Sequence, residues 1–523
     1  MNPPPNIDTG DTAWMLTSTA LVLMMTIPGL ALFYGGLVRS KNVLSVLMHS
    51  FFCAGLIGVT WVLVGYSLAF APSDSGWIGG TDFLGLRGVL GSTNALAPTI
   101  PHILFVAFQG TFAIITPALI SGAFAERMRF SAFAIFILLW SLLIYSPLAH
   151  MVWGGGWIAT KVGALDFAGG TVVHIASGIS ALVAALYVGR RIGYGHEPMP
   201  PHNLPFTVIG ASLLWVGWFG FNAGSALGSN ELASLAFLNT NTAAAAAALG
   251  WIATERLRTG KPTLLGLASG AVAGLVVITP AAGFVTPGAS IIMGLMGGVL
   301  CQVAVSLKHH FRYDDALDVV GVHMVGGTLG ALSTGFFATS AVNPAIKSLT
   351  LGLDGGLFYG GGPSLVWKQL IAIAVTYVFC GGGTFVLLSV INLFIRVRAE
   401  EDEEVAGLDL SQHSERAYSL GDAEMVAQVS GELRAATAPP TSGERFSIRL
   451  DGIDADAMIK YWRSLCQVHQ GPVSPQFKSV YGLVTTVTGT RFRFRGGDRE
   501  AIRQNLEQLF KPVSPTAKAM IEV

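Results

Sequence analysis

Long apolar runs separated by short polar connections fill the chain from about residue 14 to residue 395. Each run is long enough to cross about 30 Å of bilayer hydrocarbon as a helix. The pattern therefore predicts eleven membrane-spanning helices. The predicted spans are 14–38, 43–70, 102–125, 131–150, 168–189, 205–227, 231–256, 263–283, 287–307, 317–339 and 365–395.

Basic residues alternate along the connections between these spans. The connections after the odd-numbered spans contain Arg or Lys, whereas the intervening connections contain almost none. Because short cytoplasmic connections are enriched in Arg and Lys, the N-terminus is predicted outside and the C-terminus in the cytoplasm. The expected location is the cytoplasmic (inner) membrane.

Two short sequence phrases each place an acidic residue a few positions before a histidine that lies inside an apolar run. Asp166 precedes His174 in the fifth span, and Asp318 precedes His323 in the tenth. Ionisable groups at membrane depth are costly, so they usually face a pore or a packed interior. One buried histidine is more often structural, but two in matching phrases indicate a shared site. We therefore predict an all-α membrane protein with a 5+5 inverted repeat plus one helix, with the site between the repeats.

The composition changes after Arg398. We predict a membrane domain over 1–398, a cytoplasmic regulatory tail and linker over 399–443, and a small soluble domain over 444–523. The alternation in the last part predicts a ferredoxin-like α+β domain of the order βαββαβ. Its predicted elements are strand 446–450, helix 455–468, strands 480–487 and 491–495, helix 498–509 and strand 517–523.

Composition narrows the class of protein. Hydrophobic residues make up 52% and charged residues 12%, and the net charge is zero, so no basic signature for nucleic acid is present. The four cysteines have no metal-ligand or disulfide spacing. Two histidines without a third ligand make a poor metal site. With no nucleophile–base set and no phosphate loop, neither an enzyme nor a cofactor is predicted.

Aromatic and hydroxyl side chains cluster near the outer ends of several spans. Phe108 and Phe112 are spaced i, i+4 and so share one helix face. Aromatic faces attract cations, and Trp153, Phe108 and Ser225 together are a candidate cation cup in which the hydroxyl accepts a hydrogen bond. The alternative is an interfacial aromatic belt.

The two histidines suit a different task. A neutral imidazole donates at one nitrogen and accepts at the other, so two in line can bond to each other and still offer ring edges to a pore. Such a pair can relay a proton or accept N–H donors.

Seven motifs carry a resemblance to a known family. They are 33–36 (FYGG), 108–112 (FQGTF), 125–127 (AER), 150–156 (HMVWGGG), 166–174 (DFAGGTVVH), 217–225 (GWFGFNAGS) and 318–323 (DVVGVH). Over about residues 8–420 the chain resembles the Amt/Mep/Rh ammonium transporters, most closely the bacterial Amt branch. The resemblance implies a homotrimer of eleven-helix inverted-repeat subunits, each with its own pore.

The resemblance also implies roles for single residues. Phe108, Trp153 and Ser225 would form the outer ammonium-recruitment site, Phe112 and Phe221 the gate, His174 and His323 the twin-histidine pair, and Asp166 a structural and electrostatic carboxylate. Ammonium would lose its proton near the cup and pass the hydrophobic pore as ammonia. Potassium, which is permanently charged, would be excluded.

Regulation remains open at this level. The segment 407–418 resembles the family's regulatory C-terminus, which packs beneath neighbouring subunits. A PII-type signalling protein and membrane lipid are candidate partners. The last domain is a candidate cap, effector site, spacer or oligomerisation module. The rival functions are an ammonium sensor with little flux, signalling through the C-terminal domain, and an Rh-like channel for neutral gas.

Overall fold

The computed structural model describes residues 6–418, 445–467, 480, 483–488, 490–495 and 498–522. Contacts divide the chain into two compact units, Met1–Ala417 and Tyr418–Val523.

The first unit is helical. Within the described residues, ten helices are long and apolar enough to cross a membrane. They are Thr9–Leu37, Ser40–Phe70, His102–Phe124, Phe130–Val152, Gly170–Val188, Leu204–Gly224, Glu231–Thr259, Pro287–Phe311, Val320–Phe337 and Ser364–Phe394. The eighth predicted span contains a shorter apolar helix, Leu264–Ile278. This helix ends at Ile278, short of the predicted end at residue 283.

Small residues bring two of these helices into close contact. A Cβ added at Gly298 would lie 2.1 Å from the Ala247 carbonyl oxygen, and one at Gly294 would lie 2.3 Å from the Ala243 carbonyl oxygen. A Gly-x-x-x-Gly spacing that faces alanines lets two backbones approach closely and gain packing energy where no water drives association. The alanine-rich helix Glu231–Thr259 therefore packs directly against the glycines of helix Pro287–Phe311.

Buried charges tie four connections together at one end of the unit. Glu126 lies 2.6 Å from Arg39 and 3.4 Å from Arg191, and Arg191 lies 2.8 Å from Asp314. Burial alone would raise the pKa of Glu126, but Arg191 and Arg39 outweigh it and hold that pKa below its ordinary value. The cluster therefore contributes stability at neutral pH that is lost as the pH falls through the lowered pKa.

The segment after the last membrane helix folds back on the same end. Its two short helices are Glu401–Ala406 and Leu408–His413. Asp409 accepts the backbone N–H groups of Leu44 and Ser45, which the start of a helix leaves without intrahelical partners. Gln412 accepts the N–H of Phe130. The segment thus makes extensive contacts with its own chain.

Among its described residues, the second unit contains a four-stranded antiparallel sheet and two helices of more than ten residues. The elements are β1 (Arg445–Asp451), helix Ala455–Gln467, β2 (Val484–Thr488), β3 (Arg491–Arg495), helix Arg499–Phe510 and β4 (Lys518–Glu522). The strand order is β2-β3-β1-β4. Asp498 caps the second helix by accepting the N–H groups of Glu500 and Ala501. The predicted strand 480–487 begins only at Val484, and Val480 is helical instead. Predicted residues 468, 481, 482, 489 and 523 lie outside the described residues.

Phe492 is the centre of the second unit's core. The side chain is fully buried, and its ring centroid lies 5.0 Å from that of Trp462 and 5.7 Å from that of Phe510. Phe492→Ala should cost this unit about 3–5 kcal/mol, a large part of what a small domain has. Limited proteolysis of the full-length protein during heating should then cut residues 445–522 at a lower temperature and leave the first unit unchanged. Met520→Ala, at an exposed position of β4, is the control; equal behaviour of the two variants would contradict this assignment.

Candidate functional site

Two membrane helices, Gly170–Val188 and Val320–Phe337, contact each other within the first unit. We call them the interrupted helices, because each changes from a π-helical turn to an α-helix along its length. Each begins with a π-helical turn that contains a histidine, Gly170–Ile175 with His174 and Val320–Met324 with His323. A thirteen-residue α-helix follows in both cases. Wide turns of this kind are frequent at functional sites.

Reciprocal glycines allow this contact. A Cβ at Gly178, four residues after His174, would lie 2.3 Å from the Met324 nitrogen. A Cβ at Gly327, four residues after His323, would lie 3.0 Å from the His174 Cβ. Each helix thus offers a glycine to the histidine-bearing turn of the other, which brings the two histidines together.

The histidines are in contact. The Nδ1 atoms of His174 and His323 lie 3.2 Å apart, with ring centroids 5.3 Å apart and planes tilted by 26°. One Nδ1 must donate and the other accept, so the pair holds one shared proton between two neutral rings. Both side chains are buried, and His174 Nε2 has no hydrogen-bond partner among the described residues.

Aromatic rings continue the line of the histidines towards one surface. The ring centroids of Phe221 and His174 lie 6.0 Å apart, those of Phe112 and Phe221 4.2 Å, and those of Phe112 and Trp153 6.0 Å. Phe221, His174 and His323 line a gap of about 10 Å³. That volume is at the lower limit for one water, so this stretch has room for one water at most. The rings of Phe112 and Phe221 lie between it and Trp153.

A cavity of about 1130 Å³ opens above the aromatic pair. Phe112, Trp153, Asp166 and Ser225 line it. The Trp153 indole N–H donates to the Asp166 carbonyl oxygen at 2.9 Å, which fixes the ring. The Ser225 hydroxyl donates to the Phe221 carbonyl oxygen at 2.9 Å, so its lone pairs remain available to accept.

Phe108 does not line this cavity. Its ring is fully buried, and a Cβ at Gly224 would lie 2.9 Å from it. A residue four positions later on a helix is displaced by one turn and about 40° in angle, so Phe112 reaches the cavity while Phe108 packs against the neighbouring helix. The structure thus places Trp153, Ser225 and Phe112 in the lining of one cavity, and the recruitment role of Phe108 stays a prediction.

Gln109 is a cavity residue that the sequence reasoning passed over. It lines the cavity, and its Oε1 atom is buried without a hydrogen-bond partner among the described residues. An unpaired buried amide oxygen is costly unless a ligand or water satisfies it. The sequence signal for Gln109 was an amide side chain inside an apolar helix, directly after Phe108.

Asp166 organises the start of the first interrupted helix. Its carboxylate accepts the N–H groups of Gly169, Gly170, Thr171 and Val172 at 2.7–3.2 Å. A helix N-terminus leaves these donors without partners, and a carboxylate there also suits the helix dipole. Asp166 therefore positions the turn that carries His174.

The matching phrases suggested that Asp318 is the equivalent of Asp166, but Asp318 makes different contacts. It pairs with Lys308 at 2.5 Å, whereas Asp315 accepts the N–H of Val320 at the start of the second interrupted helix. The acid that caps the second turn thus lies three residues earlier. Asp318 instead lines a cavity of about 200 Å³ on the other side of the histidines, together with His323.

Comparisons with known proteins cover most of the chain. The model of a family described as the Ammonium Transporter Family matches residues 13–418. An ammonium transporter of Bacillus subtilis is 56% identical over 410 residues, which are 78% of this chain and 98% of that protein.

Solved structures share the fold. The crystal structure of Saccharomyces cerevisiae Mep2 has a TM-score of 0.71 and 38% identity, over 76% of this chain and 89% of that one. A structure described as a sensor Amt protein has a TM-score of 0.70 and 28% identity, over 77% of this chain and 98% of that one.

Asp166→Asn tests the capping role. The amide keeps one acceptor oxygen but loses the charge and half of the acceptor capacity, so the protein should lose about 2 kcal/mol. The melting temperature of the detergent-solubilised protein should fall. Asp82→Asn, at an exposed carboxylate outside the membrane helices, should leave it unchanged. Equal melting temperatures for the two variants would count against the role.

Proposed function

This chain belongs to the ammonium transporter family and is a multi-pass membrane protein, and from that premise we propose that it recruits, deprotonates and conducts ammonium. One observation carries the mechanism. An aromatic pair and an imidazole pair lie in series between two cavities, with almost no free volume between the pairs.

Recruitment takes place in the cavity of about 1130 Å³ lined by Trp153 and Ser225, which we call the outer cavity. The faces of Trp153 and Phe112 attract the cation, more strongly because the site is partly shielded from water. Ser225 and Gln109 accept hydrogen bonds from its N–H groups. Potassium has similar size but donates no hydrogen bond, so these two acceptors favour ammonium.

Selectivity is completed at the gate. The aromatic pair of Phe112 and Phe221 and the narrow stretch below it penalise any ion that keeps its charge. Ammonium transfers its proton at the cup and continues as neutral ammonia, whereas potassium has no neutral form. The proton released at the cup enters the histidine pair at the free Nε2 of the ring whose Nδ1 donates, and the other ring gives up its Nε2–H on the far side, so net charge crosses with each molecule. Ammonia thus meets one Nε2 acceptor and one Nε2–H donor along the pair.

The proposed assembly is a homotrimer of subunits with eleven spans, the shorter helix Leu264–Ile278 included. The N-terminus is outside and the C-terminus in the cytoplasm. Support comes from the ion cluster that joins Arg39, Glu126, Arg191 and Asp314, because it puts four basic connections on one side. The membrane is the cytoplasmic membrane, with lipid around the trimer.

We assign the domains as 1–398 for transport, 399–443 for the regulatory tail and linker, and 444–523 for a ferredoxin-like cytoplasmic domain with a regulatory role. The element order and the strand order β2-β3-β1-β4 support that class. A PII-type protein remains a candidate partner on the cytoplasmic side.

An ammonium sensor is the second candidate function. Two observations favour it: the similarity to a structure described as a sensor Amt protein, and the compact unit beyond the family match. A sensor would bind ammonium and give little flux. An Rh-like gas channel would give flux without current.

Replacing His174 and His323 together by Leu tests the proton relay. The double variant removes both imidazoles of the proposed relay, so the ammonium-driven current of proteoliposomes on a supported membrane should fall by about tenfold or more. Potassium should give no current before or after the change. His196→Leu, at an exposed position, is the matched control. A double variant that folds and keeps both the wild-type current and potassium exclusion would refute the relay.

Ending the chain near Leu420 tests the appended domain. If the domain regulates the pore, the shortened protein should carry ammonium current with altered size or ammonium dependence and intact potassium exclusion. The measurement is the same current assay on both proteins at equal density. Identical currents would remove the regulatory role, and negligible current from both would favour the sensor.

A further inference from the structure

A short segment forms part of the wall of the outer cavity. Residues 93–96 and His102 line it, opposite the rings of the gate. The His102 backbone N–H donates to the Ser92 carbonyl oxygen at 2.9 Å, and the Ala97 N–H donates to the Asn94 carbonyl oxygen at 2.9 Å. The segment Ser92–Ala97 is therefore held to the start of the third membrane helix.

The His102 ring adds two side-chain bonds to this attachment. Its Nδ1 lies 3.0 Å from Ser92 Oγ, and its Nε2 lies 2.5 Å from the Tyr66 hydroxyl. Asn94 Nδ2 lies 3.2 Å from the same hydroxyl. Tyr66 is fully buried and His102 almost so, which leaves these groups little access to water as a substitute.

The partners determine where the protons lie. Ser92 Oγ donates its single proton to the Val89 carbonyl oxygen at 2.8 Å, so it must accept from His102 Nδ1. Asn94 Oδ1 accepts the Leu96 N–H, which makes the amide nitrogen the group that faces Tyr66. Tyr66 therefore accepts from Asn94 and donates to His102 Nε2. Every donor and acceptor of the ring is satisfied only when His102 is neutral with its proton on Nδ1.

A second proton on His102 would disrupt this arrangement. Nε2–H would then face two donors, the Tyr66 hydroxyl and the Asn94 amide nitrogen, the latter 3.3 Å away. The buried Tyr66 proton would lose its acceptor, and an unpaired buried donor is costly.

We infer that His102 and Tyr66 are positioning residues that hold Ser92–Ala97 against the outer cavity, and that protonation of His102 releases this segment and weakens capture of the substrate cation. The inference rests on the proposed function, because it takes this cavity as the recruitment site. It assigns neither residue a contact with the reacting atoms.

The surroundings of His102 are uncharged. Within the described part of the chain, its ring contacts Tyr66, Phe83, Ser92 and Asn94, of which only Tyr66 is titratable. Asp166 is a further titratable group in the same cavity lining, and its carboxylate is occupied by backbone N–H groups.

Tyr66→Phe separates positioning from conduction. The full-length protein is expressed in bacterial cells without their own ammonium transporters, and uptake of labelled methylammonium is measured. Losing this bond should raise KM about three- to tenfold and leave the maximal rate unchanged. Tyr377→Phe removes a comparable hydroxyl, which bonds to Thr328 outside the cavity lining, and should leave KM unchanged. Equal KM values for the two variants would overturn the positioning role.

His102→Gln tests the protonation step. Gln carries no titratable proton, so the KM of the wild type should rise towards low pH, between about pH 8 and pH 5, more steeply than that of the variant. Methylammonium stays protonated throughout this range. Parallel pH profiles would overturn the switch.

Accessibility of the segment gives a readout independent of transport. With Ala97→Cys added, at a buried position of the same segment, a membrane-impermeant thiol reagent should label Tyr66→Phe faster than the parent, after subtraction of labelling in proteins without this cysteine. Equal rates would also overturn the inference. Failure of the proposed function would look different, since no protein, the wild type included, would then show saturable uptake.

Discussion

The close crossing of the two interrupted helices is the constraint on which the rest of the first unit depends. Gly178 lies against the Met324 backbone, and Gly327 lies against His174. A side chain at either position would separate the helices and pull the imidazoles out of hydrogen-bond range. Since Gly weakens a helix, its use at both contacts is a stability cost accepted for this approach.

Desolvation then determines how polar groups are placed in this apolar body. Buried Gln369 accepts the N–H of Leu165 and donates to the carbonyl oxygens of Leu165 and Ala331, so all of its bonds serve the scaffold. Gln109 contrasts with it, because its side-chain oxygen finds no hydrogen-bond partner in the described part of the chain and lies beside the outer cavity. The same amide chemistry stabilises the fold in one place and is available to a ligand in the other.

The two halves reach the same histidine geometry by different local means. Asp166 gathers four N–H groups before the first interrupted helix, whereas Asp315 accepts at the second and Asp318 pairs with Lys308. In the second half, Asp315 therefore takes the capping role, and Asp318 forms an ion pair instead. Burial raises the pKa of Asp315 to about 6, although the neighbouring Lys308 opposes the shift.

The sequence by itself determined the periodic features: the apolar spans, the alternation of basic connections, the paired histidine phrases and the strand and helix order of the last unit. Those follow from hydrophobicity and local backbone preferences, which each segment carries alone. Only the tertiary structure decided which of Phe108 and Phe112 lines the cavity, which acid caps the second histidine turn, and that Gln109 and His102 line the same cavity, with the Tyr66 hydroxyl bonded to His102. These choices depend on helix rotation and on contacts between residues tens to hundreds of positions apart, and neither is encoded in the pattern of a single segment.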